Sequence, residues 1–101
     1  MAVEPLTDEE IERGLADLPG WSLRDDRLVR TYSFPGHLAA ARLVAEVAEA
    51  QEELGHHSDL TLGYDKVGVS VNTHSAGGKV TELDLRLARR VEDIARGQGV
   101  A

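Results

Sequence analysis

The stretch LTLGYDKVGVSV, residues Leu60–Val71, decides the fold class. Leu60, Leu62 and Tyr64 alternate with Thr61 and Gly63, and Val67, Val69 and Val71 alternate with Gly68, Ser70 and Asn72. Successive side chains of a strand point to opposite faces, so each run carries one apolar face. Asp65-Lys66 between them is predicted to make a tight turn. The unit is therefore a β-hairpin with one face to bury and one polar face.

Upstream of the hairpin stands GHHSD, Gly55–Asp59, and before it a long helix is predicted from about His37 to Leu54. Its apolar stripe is Leu43, Val44, Val47 and Ala48, continuing toward Leu54. Gly55 suits the position just past a helix end, where positive φ costs little. Downstream, Ser75-Ala76-Gly77-Gly78 reads as a loop. Thr81-Glu82-Leu83-Asp84 looks like a capped helix start, and Leu83, Leu87, Val91 and Ile94 form the stripe behind it.

The N-terminal half has the same order. Thr7-Asp8-Glu9-Glu10 reads as a capping box, with Ile11, Leu15 and Leu18 at helical spacing and Pro19-Gly20 as the stop. Trp21-Ser22-Leu23 is a short strand, Arg24-Asp25-Asp26 a turn, and Arg27–Phe34 a second strand with Leu28, Tyr32 and Phe34 in period two. Arg30 interrupts that face. Met1–Pro5 and the tail from Gly97 read as loose ends. The expected architecture is one α+β domain over residues 1–101. It has a four-stranded antiparallel sheet with three helices packed on one face, in the order α-β-β-α-β-β-α. Such a sheet has two open edges that need covering.

Composition narrows the function. The chain has 101 residues with 18 carboxylates against 11 Lys and Arg, for a net charge of −7. A phosphate-backbone partner would require a basic face, so no nucleic acid is expected. With no cysteine there is neither a disulfide framework nor a thiolate metal site. No run approaches the ~20 apolar residues of a membrane helix, and MAVEPLTDEE lacks the apolar segment of a secretory signal. A cytoplasmic protein is expected, with no membrane partner.

The chain has four histidines, two of them adjacent. Helical spacing places Glu52 one turn before His56, where a carboxylate can orient an imidazole. His74 follows the fourth strand, and Asp84 sits in the first turn of the last helix. If strands three and four pair, His56, His57 and His74 meet at one end of the sheet, with Asp84 nearby. Imidazole suits proton transfer near neutrality. No nucleophile elbow and no Cys accompany it, so the chemistry expected is proton transfer without a covalent intermediate, such as addition or loss of water. The plainer readings are a tandem His in an acidic loop, a solvated His37 at a helix start, and an acidic Asp84 favoured in a first turn. The histidines and carboxylates could suit zinc, but their spacing matches no ligand signature; no metal is expected.

One linked pattern goes further. Glu52, three residues, His56-His57-Ser58, five residues, Tyr64, nine residues, His74, nine residues and Asp84 resembles the signature of the pterin-4a-carbinolamine dehydratase family. Ser58 stands where many members have Pro, and Leu60 where many have Trp. The resemblance runs from Thr7 to about Ile94. It implies removal of water from 4a-hydroxytetrahydropterin to give quinonoid dihydropterin, in tetrahydropterin recycling, with no metal or organic cofactor. It implies His56, His57 and His74 as catalytic imidazoles, with Glu52 and Asp84 in support and Asp84 orienting His74. The pterin would lie against His56, His57 and Ser58 and against Thr73, His74, Ser75 and Ala76. Relatives form dimers or tetramers, so self-association is expected. The alternatives are action on another pterin, as in molybdenum-cofactor metabolism, and a non-catalytic dimerisation module.

Overall fold

The computed structural model describes residues 3–100, so the readings of Met1, Ala2 and Ala101 as loose ends lie outside the described residues. The elements follow the expected order. They are α1 (Asp8–Leu15), β1 (Ser22–Arg24), β2 (Arg27–Ser33), α2 (His37–Leu54), β3 (Asp59–Leu62), β4 (Lys66–Val71) and α3 (Glu82–Gly97), with a 3₁₀ turn at His74–Ala76. The strands form one antiparallel sheet in the order β1-β2-β4-β3.

Register explains the core. Leu28, Arg30 and Tyr32 of β2 lie opposite Val71, Val69 and Val67 of β4. All three valines are buried, and each contributes roughly 1.5–3 kcal/mol of hydrophobic stabilisation. α2 and α3 cover this face with Leu43, Val47, Leu87 and Val91. α1 packs on α3, where Gly14 comes so close that an added Cβ would stand 2.5 Å from Leu85 Cδ1.

The structure moves several predicted details. α1 ends at Leu15, and Leu18 reaches the core from the following turns. β1 runs one residue later than expected, because Asp25 and Asp26 alone make the turn. Their φ values of 51° and 61° are those of the two-residue hairpin whose twist matches the strands it joins. β3 stops at Leu62, and Tyr64 swings out of the sheet to 76% exposure. The turn is thus longer than Asp65-Lys66: the Gly63 amide donates to the Lys66 carbonyl across it. Ala48 faces solvent, and the buried line of α2 is Ala40, Leu43, Val47, Ala50 and Gln51. On α3, Leu85 joins the core, and Leu83 is only half-buried.

Arg30, which broke the pattern of β2, has a partner. Its guanidinium lies 4.4 Å from the centre of the Tyr32 ring, a cation–π arrangement. The Tyr32 hydroxyl donates to Glu92 Oε1 at 2.6 Å, and Trp21 Nε1 shares that acceptor at 3.2 Å. Burial, reinforced by the Glu92 carboxylate, pushes the Tyr32 phenol well above its ordinary 10.0. Among the described residues no helix is long and apolar enough to cross a membrane.

Candidate active site

Three chain reversals build the site at one end of the sheet. α2 closes at Gly55, whose φ of 65° turns the chain sharply toward β3. β4 runs past Val71 into the 3₁₀ turn, closed by the Thr73 amide on the Lys79 carbonyl and by the Gly78 amide on the Thr73 carbonyl. α3 starts at Thr81. Between these reversals lies a cleft of about 380 Å³ lined by Gly55, His56, His57, Asn72, Thr73, His74, Ser75 and Leu83. All three imidazoles of the predicted set border it.

His56 is the anchored one. Its Nε2 donates to Asp84 Oδ1 at 2.6 Å, and its side chain is only 11% exposed. Asp84 is fully buried. Its other oxygen accepts from the Thr73 hydroxyl at 2.8 Å and from the Thr81 amide at 2.7 Å. The second of these bonds is half of the capping box of α3. A helix-start signal therefore delivers a carboxylate beneath the cleft. With Nε2 committed to Asp84, Nδ1 is the ring nitrogen left for other chemistry.

The pairing differs from the one expected. Glu52 Oε2 lies 2.5 Å from His57 Nε2, not beside His56. Gly55 ends the helix, so the one-turn spacing no longer holds at residue 56. Asp84 holds His56 and not His74, because the 3₁₀ turn carries His74 to the exposed side of its loop while the cap draws Asp84 inward. His57 and Glu52 are an exposed pair. Ser58 and Ala76 border the segments that form the cleft but do not line it.

Sequence reasoning missed Gln51. It is buried, its carbonyl accepts from the His56 amide at 3.1 Å, and its side-chain Oε1 accepts from both the Ser58 amide and the Ser58 hydroxyl. It thus fixes the path of the His-His segment. The signal was available: Gln51 follows Leu43 and Val47 at intervals of four, a polar residue on a buried stripe. Leu83 and Asn72, assigned to a stripe and a strand, also line the cleft. No group of three metal-ligating side chains gathers among the described residues.

A family profile described as pterin 4 alpha carbinolamine dehydratase matches residues 4–94. This chain belongs to that family. The matched span contains every residue that lines the cleft, together with Glu52 and Asp84. A Streptomyces avermitilis protein provisionally named pterin-4-alpha-carbinolamine dehydratase is 60% identical over 101 residues, all of both chains. A Streptomyces coelicolor protein of the same provisional name is 61% identical over 99 residues, covering 98% of each. A crystal structure of a transcriptional coactivator/pterin dehydratase from Brucella melitensis superposes with a TM-score of 0.84 at 34% identity, over 90% of this chain and 98% of that one. A pterin dehydratase-like protein identified as a RuBisCO assembly factor in the alpha-carboxysome shares the dehydratase-family fold, with a TM-score of 0.61 at 20% identity over 74% of this chain and 86% of that one.

Proposed function

We propose that this chain removes water from a 4a-hydroxytetrahydropterin to give quinonoid dihydropterin, by histidine general acid–base catalysis in tetrahydropterin recycling. One observation carries the reading: three imidazoles border a single cleft, and a buried carboxylate backs one of them. The names of the Streptomyces relatives and of the Brucella structure support the substrate class.

The reaction breaks the C4a–O bond with the electron pair leaving on oxygen. A proton must reach that oxygen, and the adjacent ring N–H must lose one as the C=N bond forms. His56 is the proposed base. Nδ1 takes the proton, and Asp84 stabilises the imidazolium from behind. His74, an exposed residue that also lines the cleft, is the proposed acid at the departing hydroxyl. One proton is given and one taken, so exchange with water resets the pair. His57, oriented by Glu52, and the Thr73–Ser75 backbone would hold the pterin, with Ser58 and Ala76 at its margins. The reaction changes no oxidation state overall, and the proposal uses no cofactor or metal. Turnover is expected to survive exhaustive chelation; loss that added zinc restores would overturn this.

In this reading the protein works in the cytoplasm as a homo-oligomer, dimer or tetramer. Breakdown of 4a-carbinolamine, followed with and without protein, tests the activity. Acceleration that is lost in His56→Ala is expected. A rate no faster than the spontaneous one, for this and for other 4a-hydroxypterins, would leave a binding role, as the coactivator half of the Brucella protein's name suggests.

A further inference from the structure

Thr73 borders the cleft, yet it is only 2% exposed, and its hydroxyl is already committed. The Thr73 hydroxyl lies 2.8 Å from Asp84 Oδ2 and 2.7 Å from the Thr81 hydroxyl. A carboxylate only accepts, so the single Thr73 proton goes to Asp84. The Thr81 hydroxyl must then donate to Thr73, and its own oxygen accepts from the Leu83 amide at 3.2 Å. The chain of donors runs in one direction, from the first turn of α3 through two buried hydroxyls to Asp84. We infer that Thr73 is a positioning residue. Its hydroxyl, oriented by Thr81, locks the Asp84 carboxylate in the rotamer that keeps the His56 proton on Nε2 and leaves Nδ1 bare. The inference rests on the acid–base reading above, and it removes the Thr73 hydroxyl from the groups free to touch substrate.

The physical case is the alternative. Asp84 Oδ1 faces His56, while Oδ2 is held by the Thr73 hydroxyl and the Thr81 amide. Without the hydroxyl, one amide alone fixes the carboxylate plane, and the buried Thr81 hydroxyl loses its acceptor. The ring of His56 can then carry its proton on either nitrogen. Only the Nε2–H form presents a bare Nδ1, so the population of competent enzyme falls without loss of any group that contacts the pterin.

The test is Thr73→Val, equal in shape and lacking the hydroxyl, beside Thr73→Ser, which restores it; Thr73→Ala replaces the valine variant should that one not fold. ¹⁵N NMR of the His56 ring reads the tautomer without any substrate. Wild type and Thr73→Ser are expected to show Nε2–H alone, and Thr73→Val a mixture. In turnover, kcat of Thr73→Val is expected to fall about 10-fold, the loss of one hydrogen bond to a charged group. KM should stay near that of wild type, and Thr73→Ser should recover most of the rate. An unchanged Nε2–H signal in Thr73→Val, or a serine variant as slow as the valine one, would overturn the inference. If wild type fails to dehydrate the carbinolamine, the function reading falls, but the NMR result still decides the role of Thr73.

Discussion

At the scale of single residues, the four histidines separate into different kinds. His56 is anchored by a buried carboxylate, His57 is an exposed partner of Glu52, and His74 has an exposed ring bordering the cleft. His37 lies at the far end of the sheet. Its Nδ1 donates to the Tyr64 carbonyl at 2.8 Å, and its ring stacks on Tyr64 with 5.9 Å between centroids. It is therefore a clasp between α2 and the β3–β4 turn and not merely a solvated helix start. His74→Ala is expected to lower kcat by ~10²–10⁴-fold, the usual worth of a positioned proton-transfer group, with a melting temperature close to wild type. His37→Ala should behave in the opposite way, with full turnover and a stability loss of about 0.5–1.5 kcal/mol from the clasp bond. Rate assays and melting curves on both variants check this. Equal rates, or a His74 variant inactive only through unfolding, would make the histidines structural.

At the scale of elements, both end helices begin with a capping box, and the two boxes do different work. In α1, Thr7 accepts from the Glu10 amide at 3.1 Å, and Glu10 Oε1 accepts from the Thr7 amide at 2.9 Å. The Thr7 amide holds the Glu10 carboxyl below its ordinary 4.5. A depressed carboxylate contributes stability above the unfolded value and loses it as pH falls through the folded one. The cap of α1 should accordingly open only below pH 4.5. NMR titration of the Glu10 carboxyl should give a midpoint below that of an unfolded peptide, and Thr7→Ala, which removes the hydroxyl but keeps the amide, should narrow the difference without closing it. In α3 the same motif uses Asp84, and the carboxylate serves the cleft as well as the helix. The β2–α3 contact carries its own test. Tyr32 holds its proton well above pH 10.0 when folded, so its contribution is complete below that pH and lost as pH rises beyond it. Tyr32→Phe should cost about 1.5–3 kcal/mol near neutrality, the worth of a hydrogen bond to a charged group. It should also flatten the alkaline fall in stability, which the fluorescence of the single Trp21 can follow.

At the scale of the molecule, the sheet is closed on neither side. β3 is an edge strand, and Leu62 at 42% exposure, Leu38 at 65% and Tyr64 at 76% are open around it. Unpaired strand edges invite a second chain. The expected outcome is a homo-oligomer that uses this edge, read by light scattering at micromolar concentration. Leu62→Lys should shift it toward monomer without unfolding it. Monomer mass for the wild type would refute the assembly.

The order and type of the elements were legible from local chemistry. Alternation at Leu60–Val71, helical stripes and two capping boxes each need only neighbours in the chain, and Gly55 announces its own left-handed turn. Of the residues in the family signature, His56, His57 and His74 line one cleft, while Tyr64 stands at the far end of the sheet against His37. The pairings were not legible. Asp84 meets His56 across 28 positions, and Tyr32 meets Glu92 across 60. Spacing along a helix could suggest Glu52 for His56, but the turn at Gly55 broke that geometry. Only the packing of α3 under the end of the sheet determined which carboxylate reaches which imidazole. Periodicity is a property of consecutive residues, whereas a hydrogen bond between distant ones depends on where every element between them comes to rest.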